Sequence, residues 1–183
     1  MDKNELQKIW DLPSSLSYRE KVEELQELFI QVGKGEEADL DVETRDDGKK
    51  VLYPSVAKYN HYFSEGLYVR EMFCGGGYFG FTVIHNLANP LFVMKGTMWC
   101  SSDDGVKELI APTFILTEPG TKRICWFPED SVVVTVHPNP DGLTDLDEVE
   151  KKFFSTTWAQ YGKDAGEKVW QLTEHKEYYK NKK

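Results

Sequence analysis

The sequence predicts a mainly β domain, a barrel or sandwich of short antiparallel strands with helices at both ends. Between residues 51 and 137, short runs rich in β-branched and aromatic residues alternate with turn residues. Many short strands at this spacing are typical of an antiparallel barrel or sandwich and not of alternating βαβ units. On both sides of this region, apolar residues instead recur at helical spacing.

Residues 17–32 are predicted to form a helix. Ser17 and Glu20 have the spacing at which each side chain caps the other's backbone N–H, and apolar residues then recur on one face. The acidic stretch 34–50 has no periodicity and is predicted to be a loop. Residues 1–50 are therefore assigned to an N-terminal extension made of a helix and an acidic loop.

Residues 51–140 are assigned to the β-barrel. The triple glycine at 75–77 lacks the GxxxxGK[ST] pattern, so we predict a wide hairpin turn there and not a phosphate loop. Asn89-Pro90 is predicted to be a turn, and Pro112 and Pro119 are expected at strand ends, where a missing N–H costs no ladder bond. The predicted strands are 66–73, 78–85, 91–100, 106–110, 114–116, 123–127 and 131–137.

Residues 141–183 are assigned to a C-terminal helical extension. Thr144 or Asp145 can cap a helix that carries Val149, Phe153 and Phe154. The aromatic residues that follow, up to residue 179, indicate helices that pack on the barrel or on a partner.

Composition and charge exclude several classes of partner. A net charge of −9 leaves no basic stripe for nucleic acid, and no apolar run approaches the roughly 18 residues of a membrane span. The charged N-terminus carries no apolar signal segment. Cys74, Cys100 and Cys125 are widely spaced and form no CxxC pair, which indicates buried free thiols in a reducing compartment. The predicted location is the cytoplasm.

Several pieces of the β region occur in a characteristic order: His61-Tyr62-Phe63, Gly66-Leu67-Tyr68-Val69-Arg70-Glu71, Ile84-His85, Lys95-Gly96-Thr97, Pro119-Gly120-Thr121-Lys122-Arg123 and Val134-Thr135-Val136-His137-Pro138. In order and spacing they resemble the cupin superfamily, and more narrowly the uncharacterised cupin-like proteins often encoded by bacteriophages. The resemblance covers residues 61–150. It implies a double-stranded β-helix (jelly roll), a homodimer or higher homo-oligomer, and the host cytoplasm if the chain is phage-encoded.

The resemblance also implies a degenerate metal site. Cupins with a metal usually place two histidines as HxH, a glutamate a few residues on, and a third histidine after a P-x-G turn. When the sequence is aligned on Gly96, the second histidine falls on His85, but the other positions fall on Val83, Asn89 and Arg123. Valine cannot coordinate a metal, and arginine brings a fixed positive charge.

Two hypotheses concern His85 and His137. They can be ligands of a divalent transition metal, together with Asn89, Glu71 or a water. Alternatively, each histidine forms a hydrogen bond with a carbonyl or carboxylate at a strand end. No other cofactor is indicated.

Arg123 is the leading candidate for binding an anion. Its guanidinium can hold a carboxylate or phosphate through two hydrogen bonds, or it can pair internally with Glu71. Arg70 and Glu71 point to opposite faces of one strand, so only one of them can line a pocket. Tyr78 and Trp126 either fill the barrel or form stacking walls for a planar ligand.

Three functions remain open. The leading hypothesis is a binding protein for a small anionic or aromatic molecule, held by Arg123, His85, His137 and nearby tyrosines. A second is a metal-dependent oxygenase, lyase or isomerase that uses the two histidines. A third is a virion or assembly protein whose C-terminal helices dock on another protein. The sequence does not decide whether the chain is an enzyme.

Overall fold

The structure, a computed structural model, describes residues 3–11, 16–32, 40–44, 50–54, 57–102 and 105–162. Within these ranges the helices are α1 (Lys3–Asp11), α2 (Tyr18–Val32) and α3 (Leu146–Phe153). The strands are β1 (Leu40–Thr44), β2 (Lys50–Pro54), β3 (Ala57–Ser64), β4 (Gly66–Cys74), β5 (Tyr78–Phe81), β6 (Ile84–His85), β7 (Asn89–Lys95), β8 (Thr97–Ser102), β9 (Gly105–Ile110), β10 (Thr113–Thr117), β11 (Ile124–Phe127), β12 (Ser131–Asn139) and β13 (Phe154–Ser155).

Two antiparallel sheets form the body of the chain. The larger has the strand order β10-β7-β12-β4-β3, and the smaller has the order β5-β11-β8-β9. Strand β12 lies between β4 and β7, which are distant from it in sequence. This arrangement confirms the prediction of a mainly β jelly roll. None of the described helices is long and apolar enough to cross a membrane.

The core lies between the two sheets, because side chains alternate between the two faces of each strand. On β12, Ser131, Val133, Thr135 and His137 are buried, whereas the residues between them are more exposed. The buried apolar core consists of Cys74, Tyr78, Leu91, Val93, Met98, Cys100, Leu109, Cys125, Phe127 and Val133. The three cysteines are buried and free, as predicted.

The N-terminal helices pack against the β structure through a second apolar cluster. Trp10 of α1 and Val22 of α2 share this cluster with Ile124 and Trp158. The Glu20 half of the predicted cap of α2 is confirmed, because the Glu20 carboxylate accepts from the backbone N–H of Ser17 at 2.8 Å. The Ser17 hydroxyl donates to the same carboxylate at 2.5 Å.

Helix α3 begins where the sequence predicted. The Asp145 side chain accepts hydrogen bonds from the backbone N–H groups of Asp147 and Glu148 at the helix N-terminus. The helix ends one residue earlier than expected, because Phe154 starts the short strand β13, which pairs with β6. A further helical turn covers residues 158–162. The predictions for residues 163–183 lie outside the described residues.

Five local predictions are wrong. The loop predicted over 34–50 contains strand β1, which is paired with β2 along its full length. The predicted strand 91–100 is divided by a turn at Gly96, where a φ of 75° requires the conformational freedom of glycine. Asn89-Pro90 begins β7 and is not a turn. Proline is tolerated at this place because it lies at the start of the strand.

The triple glycine also has a different role from the predicted hairpin turn. It connects β4 of the larger sheet to β5 of the smaller one, and these two strands are not paired with each other. The predicted strand 78–85 is likewise divided, into β5 and β6, and the regular ladder ends at Thr82, where the backbone N–H of Arg123 donates to the Thr82 hydroxyl at 2.8 Å and not to its carbonyl.

We predict that Gly96→Ala destabilises the fold more than Gly66→Ala. Both glycines have a left-handed backbone, with φ of 75° and 76°, so alanine costs roughly 1–2 kcal/mol at either position. A Cβ at Gly96 would also lie 2.7 Å from the carbonyl oxygen of Asp130, whereas a Cβ at Gly66 meets nothing within 4 Å. The clash should add roughly 1–3 kcal/mol, measured by denaturant unfolding. Equal losses at the two positions would contradict the close approach at Gly96.

Candidate functional site

The inner face of the larger sheet changes from apolar to polar along the barrel. Strand pairing places Thr117 opposite Asn89, and His137 opposite Tyr68. Asn89 and His137 both lie two residues beyond the pair formed by Leu91 and Thr135, on the same face. A row of polar side chains therefore crosses four strands at one end of the barrel.

His85 and His137 lie together at this polar end. Their rings are stacked, with centroids 5.6 Å apart and planes 5° from parallel, and the residues are only 2% and 1% exposed. The strands that carry them belong to different sheets. Tyr68 stacks on the other side of His137 at 5.6 Å, and its hydroxyl is 2.8 Å from Nδ1 of His61. The structure thus brings the two predicted histidines into one buried aromatic stack.

Three buried polar atoms at this end have no hydrogen-bond partner among the described residues: Nδ1 of His85, Nδ1 of His137 and Oδ1 of Asn89. Nε2 of His137 is 3.2 Å from the hydroxyl of Thr135, so its partner is not the carbonyl or carboxylate that the alternative hypothesis expected. Buried polar atoms are nearly always hydrogen-bonded, so these three atoms are positions at which a bound molecule can form hydrogen bonds.

Burial keeps both histidines neutral. It lowers the pKa of His85 well below the ordinary value of 6.5, and the charges of Arg70 and Arg123 lower it further. Burial, with a smaller effect of Arg70, lowers the pKa of His137 to about 3. Each imidazole therefore has one N–H donor and one acceptor nitrogen at neutral pH.

Of the neighbouring pair, Arg70 faces the interior and Glu71 faces away from it. The Arg70 guanidinium carbon lies 4.3 Å from the centre of the Phe154 ring. The Glu71 carboxylate instead accepts hydrogen bonds on the outer face of the sheet, from the Asn60 amide at 3.1 Å and the Tyr62 hydroxyl at 2.9 Å. Glu71 was expected to line the pocket, but it lies on the outer face. The face of a side chain changes with a shift of one residue along the strand, and the sequence alone does not fix that register.

Arg123 lies at a cleft between β10 and the smaller sheet. The cleft has a volume of about 310 Å³, and Lys107 also lines it. The guanidinium donates from Nη1 to the Thr117 hydroxyl at 3.2 Å, which connects the cleft to the polar row. The full lining comprises Cys100, Ser101, Ser102, Lys107, Ile115, Leu116 and Arg123.

The structure places Tyr78 and Trp126 away from the histidines. The Tyr78 ring stacks on Phe127 at 5.6 Å within the apolar core, and it covers Gly80, where a Cβ would lie 2.1 Å from the Tyr78 hydroxyl. Trp126 lies on the opposite face of β11, with its ring 6.3 Å from that of Phe79. Of the two alternatives for Tyr78, the structure therefore supports the one in which it fills the barrel, and Tyr78 is not a stacking wall for a ligand.

The chain after α3 covers the polar end of the barrel. The Phe154 ring stands edge-on to His85 at 5.4 Å and to His137 at 5.2 Å, and Phe153 packs on His137 at 5.4 Å. The Asn86 side chain holds this segment in place by accepting from the Ser155 hydroxyl at 2.6 Å and donating to the Lys152 carbonyl at 3.2 Å. This covering role was not predicted from the sequence, where its available signal is the pair Phe153-Phe154 at a helix end.

The donor set does not fit a divalent metal. Among the described residues, no group of three or more His, Cys, Asp and Glu side chains is placed to hold an ion. The charges of Arg70 and Arg123 act directly on His85, where they oppose a cation as they oppose a proton. Two imidazoles and an amide in a positive field therefore suit an anion better than the predicted metal.

No protein-family model and no curated protein matches the sequence. Several solved structures are similar to part of this chain, and some of them are cupin domains. They include ectoine synthase from P. lautus (10% identity, 54% of this chain and 72% of that chain, TM-score 0.44). They also include an acetylacetone dioxygenase from Acinetobacter johnsonii (16% identity, 61% of this chain and 85% of that chain, TM-score 0.40). A cupin domain from Bordetella pertussis Tohama I is similar as well (16% identity, 46% of this chain and 94% of that chain, TM-score 0.39). The jelly-roll description rests on the strand order of this chain itself.

We predict that acidification below pH 6.5 destabilises the fold through His85 and His137. Their pKa values are low in the folded chain and near 6.5 in the unfolded chain, so the unfolded chain binds more protons below pH 6.5. Stability should fall by up to about 1.4 kcal/mol per pH unit for each histidine as the pH falls from 6.5.

Denaturant unfolding between pH 7.5 and 5 measures this loss, and a His137→Gln variant should show a smaller slope than the unsubstituted chain. NMR provides the check on the folded protein. Ring protons of either histidine that titrate with a midpoint near the ordinary value would contradict the burial of neutral imidazoles.

Proposed function

We propose that this protein binds a small anionic molecule at the cleft that Arg123 and Lys107 line. The supporting observation is that two cations line a cleft of ligand size, while Arg70 adds a third positive charge inside the same end of the barrel. A guanidinium offers five N–H donors, and the bond to Thr117 uses one of them. The remaining donors suffice for the two parallel hydrogen bonds that a carboxylate or phosphate accepts.

The lining also limits the size and character of the ligand. A volume of about 310 Å³ is at the lower end of the roughly 300–1,000 Å³ of small-molecule pockets. Ile115 and the largely exposed Leu116 give the cleft apolar lining, and the Ser102 hydroxyl already donates to the Gly105 carbonyl at 2.8 Å. The cleft therefore suits a carboxylate or phosphate ester with a short apolar body.

We also propose that the protein is located in the cytoplasm, which is the cytoplasm of the host if the chain is phage-encoded. Cys74, Cys100 and Cys125 support it, because three free buried thiols are typical of a reducing compartment. Phage origin itself rests only on the sequence resemblance described above.

We predict that Arg123→Met weakens binding of hexanoate and phenyl phosphate by roughly 10- to 100-fold, since a hydrogen bond to a charged group contributes about 1.5–3 kcal/mol. NMR titration at constant ionic strength measures the affinity. Lys58→Met is the matched control, because it removes one positive charge from an exposed position on the outer face of β3.

Unchanged affinity in Arg123→Met, or an equal loss in Lys58→Met, would show that the anion is held by general charge and not by the cleft. Failure of the unsubstituted protein to bind either probe would overturn the proposed function.

We also predict that protein purified without a histidine tag or chelator contains far less than one equivalent of transition metal. The positive field around His85 is the reason. Elemental mass spectrometry measures the content. Near-stoichiometric iron, manganese, nickel or zinc that is lost in both His85→Ala and His137→Ala would instead favour the metal-dependent enzyme.

A further inference from the structure

Two of the three cysteines lie directly opposite one another on neighbouring strands. Cys100 of β8 is paired with Cys125 of β11 in the antiparallel register of the smaller sheet. Paired residues of an antiparallel sheet point to the same face, and both thiols point into the core, where these residues are 1% and 3% exposed. The next pair, Trp99 with Trp126, lies on the other face. The two thiols are therefore cross-strand neighbours.

Strand pairing gives these two residues a spacing that a disulfide can span. Directly opposite residues of an antiparallel pair have Cα atoms roughly 4.5 or 5.5 Å apart, depending on the hydrogen bonds between them. Disulfides join residues whose Cα atoms are roughly 4.4–6.8 Å apart. Both thiols are free in this structure. A bond between Cys100 and Cys125 therefore requires rotation of the side chains and no rearrangement of the backbone.

The third cysteine, Cys74, is placed differently. It ends β4 of the larger sheet, whereas Cys100 and Cys125 belong to the smaller sheet. Facing sheets lie roughly 10 Å apart, which is beyond the roughly 7 Å of Cα separation that a disulfide can bridge. The strand order therefore favours one pair of thiols over the two pairs that include Cys74.

The cleft that Arg123 and Lys107 line gives access to this pair. Cys100 belongs to the lining, and Lys107 of β9 is paired with Cys100 in register. Lys107, Cys100 and Cys125 therefore form a row across three strands on one face of the smaller sheet. A molecule that enters the cleft meets Cys100 before it can reach Cys125.

The same two cations make the two thiols unequal. Burial raises the pKa of the Cys100 thiol, but the charges of Arg123 and Lys107 act in the opposite direction. Burial and the neighbouring Cys100 raise the pKa of the Cys125 thiol well above its ordinary value of 9.0, against a smaller effect of Arg123. The thiolate is the reactive form of cysteine, and nearby cations favour it. Cys100 is therefore the thiol that attacks first.

We propose that Cys100 and Cys125 are a redox modification site, at which a hydroperoxide that enters the cleft converts the two thiols into a cross-strand disulfide. The Cys100 sulfur attacks the O–O bond of the hydroperoxide. An S–O bond forms, and the second oxygen leaves with the thiol proton as an alcohol, or as water from hydrogen peroxide. Lys107 and Arg123 stabilise the negative charge that develops on this leaving oxygen.

The second step closes the disulfide. The Cys125 sulfur attacks the sulfenic acid of Cys100, the S–O bond breaks, and water leaves with the Cys125 proton as the S–S bond forms. Two thiols are oxidised for each hydroperoxide that is reduced. In a reducing compartment this bond is transient, because thiol reductants return both cysteines to the free form by exchange.

Peptide mapping of the unsubstituted chain tests the proposal. The folded protein is exposed to hydrogen peroxide, remaining thiols are blocked with N-ethylmaleimide, and the chain is digested with trypsin without reduction. Each cysteine lies in its own tryptic peptide, which are 71–95, 96–107 and 124–151. Mass spectrometry should find 96–107 joined to 124–151 and the blocking group on 71–95. Dithiothreitol should separate the joined peptides.

Cys74→Ala is the matched control, because it removes a buried thiol of the other sheet and should leave the cross-link unchanged. Cys125→Ala should prevent the cross-link and leave a sulfenic acid on Cys100, which dimedone traps. Circular dichroism shows whether each variant is folded. The map of the unsubstituted chain requires no substitution, so it decides the question even if a variant does not fold.

Three results would overturn the proposal. The first is a cross-link that includes Cys74. The second is that all three thiols of the folded chain stay reduced under conditions that oxidise the urea-unfolded chain. The third is a folded Cys125→Ala variant whose Cys100 forms no adduct with dimedone. No anionic ligand takes part in these measurements, so the proposed binding of anions can fail or succeed independently.

Discussion

Neighbouring side chains on a strand point to opposite faces, and this alternation along β12 decides which residues enter the barrel. It places Val133, Thr135 and His137 inside and Val132, Val134 and Val136 outside. On the paired strand, the same register places Arg70 inside and Glu71 outside. A slip of one residue would exchange all of these positions. The polar interior and the exposed apolar side of the larger sheet are therefore two results of a single register.

The electrostatics of the interior follow from what this register buries. The inward residues at the polar end include Arg70, Arg123 and two histidines, and burial keeps the histidines neutral. Phe153 and Phe154 cover the rings, and a less polar surrounding strengthens every charge interaction inside it. The resulting field is positive. It opposes a bound cation beside the two imidazoles.

Local chemistry could be predicted from the sequence, whereas relations between distant strands could not. The caps at Ser17 and Asp145 were predictable because they involve residues within one helical turn. The division of 91–100 at Gly96 was missed because a continuous apolar run does not show where the chain reverses. The inward direction of Arg70, the burial of Tyr78 and the covering of the histidines by Phe154 all depend on pairing between distant segments. The secondary-structure propensity of each segment does not indicate which distant segment it pairs with.

The order of strands in the larger sheet also affects how the protein is made. The hairpin β3–β4 and the strand pair β7–β10 come from separate parts of the chain, and β12, which is synthesised after both, lies between them. Until residue 139 leaves the ribosome, each pair has an open edge and an unsupported apolar face. Pairing between such distant segments makes folding slow, because loop-closure entropy is lost before the contacts form. The growing chain therefore depends on protection from aggregation until its last long strand is complete.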